Sequence, residues 1–296
     1  MQRYGVLCAA FCCAPMDTFV DRAIHATAAI CTSPLWSALS CSGTIGASAS
    51  NFRATTPSEF LGQLAAWRRC NAPEKRDLFA FQICAGDDPF NPVMSVEVVA
   101  DNDAVDERSL VRHLFELRLS PESFVPHASA AALAQVMGVL QQLPVESAYL
   151  APAICWTRHP AVGRPDGRHA GPAFANRSLD IHVNTATRFV IGGRCRGARW
   201  VVVLGHSLAE KTGGDETMAR LRSAGLMVTA LTEGVMIQIS DTPFEAVVPG
   251  TPLFARYDAL AQELDAIAMV DDLDLERARF NANPDALDRY EQRFIT

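Results

Sequence analysis

The chain has 296 residues, 49% hydrophobic and 20% charged, with a formal net charge of −7. That length builds one large domain or two packed halves, and the composition is that of a globular protein. No apolar run approaches the ~20 residues that cross a bilayer, and the acidic balance argues against a protein that itself binds nucleic acid.

Taken in chain order, "YGVLCAAFCCAPM" follows a single Arg3 and lacks the basic start and small-residue cleavage site of a signal peptide. It is expected to be a buried first strand. "MDTFVDRAIHATAAI" follows as a helix, with Phe19, Ala23, Ala26 and Ile30 on one stripe. "RDLFAFQICA" and "VMSVEVVA" are expected to be strands, and "SLVRHLFELRL" a strand or a helix. Between Asp87 and Glu107 there are seven acids and no base. "PHASAAALAQVMGVLQQLP" reads as a helix stopped by Pro144. "VESAYLAPAICWT" reads as a strand broken by Pro152.

The stretch Arg158 to Arg177 carries too much Gly and Pro for either element and reads as a long loop between an N-terminal half, 1–157, and a C-terminal half, 178–296. "SLDIHVN" reads as a short strand. "LMVTALTEGVMIQIS" reads as two strands turning near Glu233 and Gly234, and "PLFARYDALAQELDAIAM" as an amphipathic helix. Strands in adjacent runs, without strict alternation with helices, favour an α+β fold with largely antiparallel sheets and packed helices, its two halves forming one compact body.

Candidate chemistry is sparse. "VVVLGHSLA" approaches the G-x-S-x-G elbow of serine hydrolases at Ser207, but the fifth position is Ala209, and none of the seven histidines follows Ser207, where the base would lie. The alternative reading is a helix from Trp200 to Lys211, with Trp200, Val203, Leu204, Ser207 and Leu208 at helical spacing. Gly213 or Gly214 would cap its end, and Asp215 would start a second helix. "IGGRCRGARW" lacks a phosphate-binding pattern, and its Arg194, Arg196 and Arg199 are expected to form a solvated turn. "DDLDLE" lacks the glycine and ligand spacing of a calcium loop. His159 and His169 are read as solvent-facing, and Asp180, inside "SLDIHV", as satisfied by backbone or an Arg rather than catalytic. The nine cysteines form no C-x-x-C and read as small buried hydrophobes of a reducing compartment. No catalytic residue, cofactor site or metal site is expected.

The C-terminal half resembles a known family. "ESAYLAPAICW", "NRSLDIHV", "ARWVVVLGHSLAEKTGG", "EGVMIQISDTP", "PLFARYDALAQELDAI" and "RYEQRF" are similar, in that order, to the strands and helices of the TsiV-type immunity proteins of type VI secretion. The likeness covers about Val145 to Thr296. It departs at Pro152, and after Pro243, which is followed by Phe244, Glu245 and Ala246 where the family often continues Pro-x-x-Gly-Asp.

The resemblance implies a cytoplasmic protein that caps a cognate type VI effector toxin, a nuclease by analogy, stoichiometrically and without catalysis. It implies no nucleic-acid or membrane partner and leaves the oligomeric state open. The alternatives are a serine hydrolase built on Ser207 and a structural component of the secretion machinery. An acidic protein suits a basic partner. Two clusters are therefore the candidate partner-binding residues: Asp101, Asp103, Asp106 and Glu107, and Asp271, Asp272, Asp274 and Glu276.

Overall fold

The computed structural model describes residues 2–36, 40–46, 53–71, 78–86, 92–105, 108–156, 180–181, 188–189 and 191–269. Mixed α and β structure is organised around one dominant sheet. Its strands are β1 (Gln2–Cys12), β2 (Cys41–Ile45), β3 (Arg53–Thr55), β4 (Leu78–Ala85), β5 (Met94–Asp101), β6 (His113–Leu119), β7 (Val145–Trp156), β8 (Asp180–Ile181), β9 (Val201–Gly205), β10 (Met227–Leu231) and β11 (Gly234–Gln238). The helices are α1 (Met16–Cys31), α2 (Pro57–Cys70), α3 (Ser129–Leu140), α4 (His206–Lys211), α5 (Gly214–Ser223) and α6 (Pro252–Leu264).

The strands lie in the order β10-β11-β9-β7-β1-β6-β5-β4-β2-β3, each antiparallel to its neighbours, and β8 joins β7 in parallel. One sheet thus replaces the expected several, and the β7–β9 pairing carries it from the first half of the sequence into the second. "SLVRHLFELRL" resolves to a strand, because β1 and β5 bracket it and bury every residue from His113 to Leu119.

Alternation along the central strands separates two layers. Val6, Cys8, Ala10 and Cys12 of β1 face the core beneath α1, α2 and α3. Leu7, Ala9 and Phe11 face the opposite side with Tyr149, Ile191 and Met269. Further along the sheet, Val201 and Val203 join the first core, while Val202 and Leu204 join Leu208, Leu221, Tyr257 and Leu260 of α4, α5 and α6. Helices therefore cover opposite faces of the two halves of the sheet.

Three local expectations are corrected. First, the stretch from Trp200 is a strand, β9, running into a short helix, α4. All five residues of β9 are buried because both faces of the sheet are covered here, so the Val run takes the extended form that β-branched side chains favour. Second, Pro152 does not break β7. It pairs with Val6, at the point where the other edge of β7 passes from β9 (Ser147–Leu150) to β8 (Ala153–Ile154). A missing N–H is least costly in such a gap. Third, α5 starts at Gly214, with left-handed Gly213 preceding it, and Asp215 sits in its first turn rather than at its cap. Gly213 does end α4 in the left-handed conformation.

The helix α2 was not foreseen. Its start is a capping box in which Thr56 accepts from the Glu59 N–H and Glu59 accepts from the Thr56 N–H, with Pro57 at the first position. Gly43 makes room for it: a Cβ there would lie 2.4 Å from the Phe60 ring.

Candidate interaction site

Of the eight candidate acids, Asp101 and Asp103 fall among the described residues; Asp106, Glu107, Asp271, Asp272, Asp274 and Glu276 lie outside them, as do His159 and His169. Asp103 is exposed at the turn that leaves β5. Asp101 is half-buried and engaged within the fold. Its carboxylate pairs with Nη1 of Arg188 at 3.1 Å and accepts the backbone N–H of Asp103 at 3.0 Å.

Asp101 belongs to a buried polar network. Its backbone N–H donates to Nδ1 of His113 at 3.1 Å, and Nε2 of His113 donates to the Ala14 carbonyl at 2.8 Å. These two bonds fix a neutral tautomer. The ring stacks on Phe19 with centroids 4.4 Å apart. Next to it in sequence, fully buried Arg112 grips Glu146 with Nε at 2.6 Å and Nη2 at 2.9 Å. Nη1 of Arg112 also donates to the carbonyls of Ser109 (2.6 Å) and Val111 (2.7 Å). The Gly193 N–H adds a bond to Glu146 at 3.1 Å. The loop approaches so closely that a Cβ on Gly192 would sit 2.3 Å from the Ser109 carbonyl oxygen. This network ties the segment after Arg188 to β5, β6 and β7; every member is held by the fold itself.

The expected solvated turn at Arg194, Arg196 and Arg199 is corrected too. Arg196 and Arg199 are buried, and Arg199 lies 5.8 Å over the Tyr149 ring. The segment packs on the sheet through Ile191, Cys195, Ala198 and Trp200, which draws the Arg stems in with it.

Ser207 is exposed in the first turn of α4, and His206 beside it donates instead to the Thr232 carbonyl at 3.2 Å. No base meets Ser207 among the hydrogen bonds of the described residues. Among those residues, no three His, Cys, Asp or Glu side chains gather as a metal ion would need, and no helix is long and apolar enough to cross a membrane. Among the described residues, Cys8, Cys12, Cys31, Cys41, Cys84 and Cys195 are buried, and Cys70 is exposed. Burial pushes Cys195 up to about 11 and Cys31 up to about 12, which suppresses their thiolates.

His113 makes stability acid-sensitive. Burial pushes its pKa from 6.5 down to about 4. Below the unfolded value the unfolded chain takes up a proton that the folded chain refuses. The stabilisation is therefore complete above pH 6.5 and is lost as pH falls towards 4, by up to about 3 kcal/mol. In urea melts at pH 7 and pH 4.5, the stability gap between wild type and His113→Asn should narrow at the lower pH. An unchanged gap would show that His113 titrates normally.

The chain matches no family model, and no curated protein matches its sequence. Among solved structures, the fold is similar to that of the Pseudomonas aeruginosa T6SS protein PA0821, at a TM-score of 0.75 and 14% identity, over 99% of this chain and 84% of that one.

Proposed function

We propose that this chain is the immunity member of a type VI effector–immunity pair, acting in the cytoplasm by capping a toxin, a nuclease by the family analogy. The observation that carries the reading is the likeness to a T6SS protein over 99% of the chain. The ordered TsiV-like segments, from "ESAYLAPAICW" to "PLFARYDALAQELDAI", support the immunity role independently. The net charge of −7 suits a toxin with a basic nucleic-acid cleft. Asp103 is exposed at one of the two acidic clusters and is available to such a surface.

Capping requires no catalytic group. Two ion pairs of the described interior serve the fold, Arg112 with Glu146 and Arg188 with Asp101. Protection against a nuclease calls for nanomolar affinity or better, about −12 kcal/mol, and an interface of roughly 1,600 Å².

The test is a titration of the purified toxin encoded beside this gene. Toxin activity should end near a fixed molar ratio, and Ser207→Ala should give the same endpoint as wild type. Trace amounts of this protein disabling excess toxin would instead make it an enzyme, and loss of that action in Ser207→Ala would name the nucleophile. No effect at any ratio would reject the immunity reading.

A further inference from the structure

The two ends of the sheet are unlike. At one end, β3 is three residues long and carries exposed Arg53. Shortness and charge are the ordinary protections of an edge against unwanted pairing. At the other end, β10 is five residues, "MVTAL", with no charge and no proline. Its ladder with β11 runs without a bulge from Met227–Gln238 to Leu231–Gly234. Met227, Thr229 and Ala230 are exposed, and no described strand pairs with its outer side. No charge, proline or bulge of its own protects this edge.

The edge is also held in place. Gly234 brings β11 so close to β9 that a Cβ there would lie 2.1 Å from the Leu204 carbonyl oxygen. Packing of α5 and α6 around Val228 and Ile237 supports the hairpin from one face. A strand so fixed loses little freedom on pairing, which favours association.

Beside the end of β10 lies a small apolar pocket lined by Leu140, Leu143, Val145, Val203 and Leu231, with Glu233 also in its wall. Leu231 belongs to both edge and pocket. In an added antiparallel strand, the residue opposite Leu231 projects from the same face of the sheet, with its Cβ about 4.5–5.5 Å away. That residue meets the pocket. Exposed Glu233, next to it, has no described cation partner and favours a basic residue nearby.

We infer that β10 is the docking edge for an extended segment of the partner protein, which adds as a further strand, places an apolar side chain against Leu231 and sets a Lys or Arg near Glu233. The inference rests on the immunity reading for the identity of the partner. Main-chain hydrogen bonds along about 17 Å of edge would supply affinity, and the pocket would supply specificity.

The probe is the toxin encoded by the neighbouring gene, with the full-length protein. Two measurements are made: binding of wild type and of Ala230→Lys, and hydrogen exchange of wild type alone and in the complex. Ala230→Lys restores the charge that protected edges carry and lies on an exposed position, so the fold should tolerate it. The expected results are at least tenfold weaker binding by Ala230→Lys and at least tenfold slower exchange of the outward-facing β10 amides in the complex. If wild type binds, Ala230→Lys binds equally and the β10 amides stay unprotected, the edge inference falls while the immunity reading stands. If wild type does not bind at all, the immunity reading falls and takes this inference with it. Concentration-dependent protection of β10 in the protein alone would assign the edge to a second copy and overturn the inference.

Discussion

Arg112→Met is expected to lower the unfolding free energy by about 3–5 kcal/mol, the range for removing one partner of a buried ion pair. Arg112 is 0% exposed at its side chain and Glu146 14%, so the abandoned carboxylate has little water to turn to. The loss also frees the carbonyls of Ser109 and Val111, which Nη1 bonds. Lys at this position would keep the charge but not the two-pronged grip on Glu146. The paired change Arg112→Met with Glu146→Leu should recover part of the loss, because the orphan charge is gone. Full recovery is not expected, since the Gly193 N–H loses its acceptor. Denaturant titration of the two single variants and the double variant gives the coupling directly. An Arg112→Met variant within about 1 kcal/mol of wild type would refute the structural weight assigned to this pair.

Trp200→Ala should cost a comparable amount, about 3–5 kcal/mol. Trp200 is fully buried, meets Phe124 edge-on with centroids 5.7 Å apart, and donates its indole N–H to the Ser240 carbonyl at 2.7 Å. Its own carbonyl accepts from Ile239 at 3.0 Å. One side chain thus joins the turn before α3, the start of β9 and the segment after β11. Trp200→Phe keeps most of the apolar contact but removes one of two donors on the Ser240 carbonyl, which keeps Gln238 Nε2 at 2.8 Å, at a cost of about 0.5–1.5 kcal/mol. The order wild type, Phe, Ala in midpoint denaturant concentration checks the argument. Equal losses for Phe and Ala would mean that the hydrogen bond, not the packing, dominates.

Sequence patterns revealed the elements with one clear face. The stripe Leu253, Tyr257, Leu260 and Leu264 gave α6, and the apolar positions of "SAAALAQVMGVL" gave α3. The two strands around Glu233 and Gly234 were equally plain, because an exposed edge hairpin breaks at its turn. The stretch at Trp200 misled because a strand covered on both faces has no alternation to show. Trp200, Val203 and Leu204 also satisfy helical spacing, and only the β-branched composition told against it. The buried network was equally hidden. His113 sits in "RHLFELRL" among other charged residues and Glu146 in "VESAYL", and which of these polar groups meet depends on strand order. The acids at Asp101 and Asp103 looked alike in sequence; the fold turns one towards Arg188 and leaves the other exposed.

The position of β1 has a consequence for how the chain reaches this state. It lies in the middle of the sheet, yet its neighbours are β6, beginning at His113, and β7, running from Val145 to Trp156. Closing those pairings requires loops of about a hundred residues or more, which slows folding. On a ribosome adding about 5–20 residues per second, the apolar stretch "YGVLCAAFC" must wait on the order of ten seconds or more for its second partner. Until β6 emerges both of its edges are open to other chains, and until β7 emerges one of them still is. The central sheet therefore forms late, after most of the first 156 residues have emerged, and the protein's yield in the cell depends on how well that strand is shielded until then.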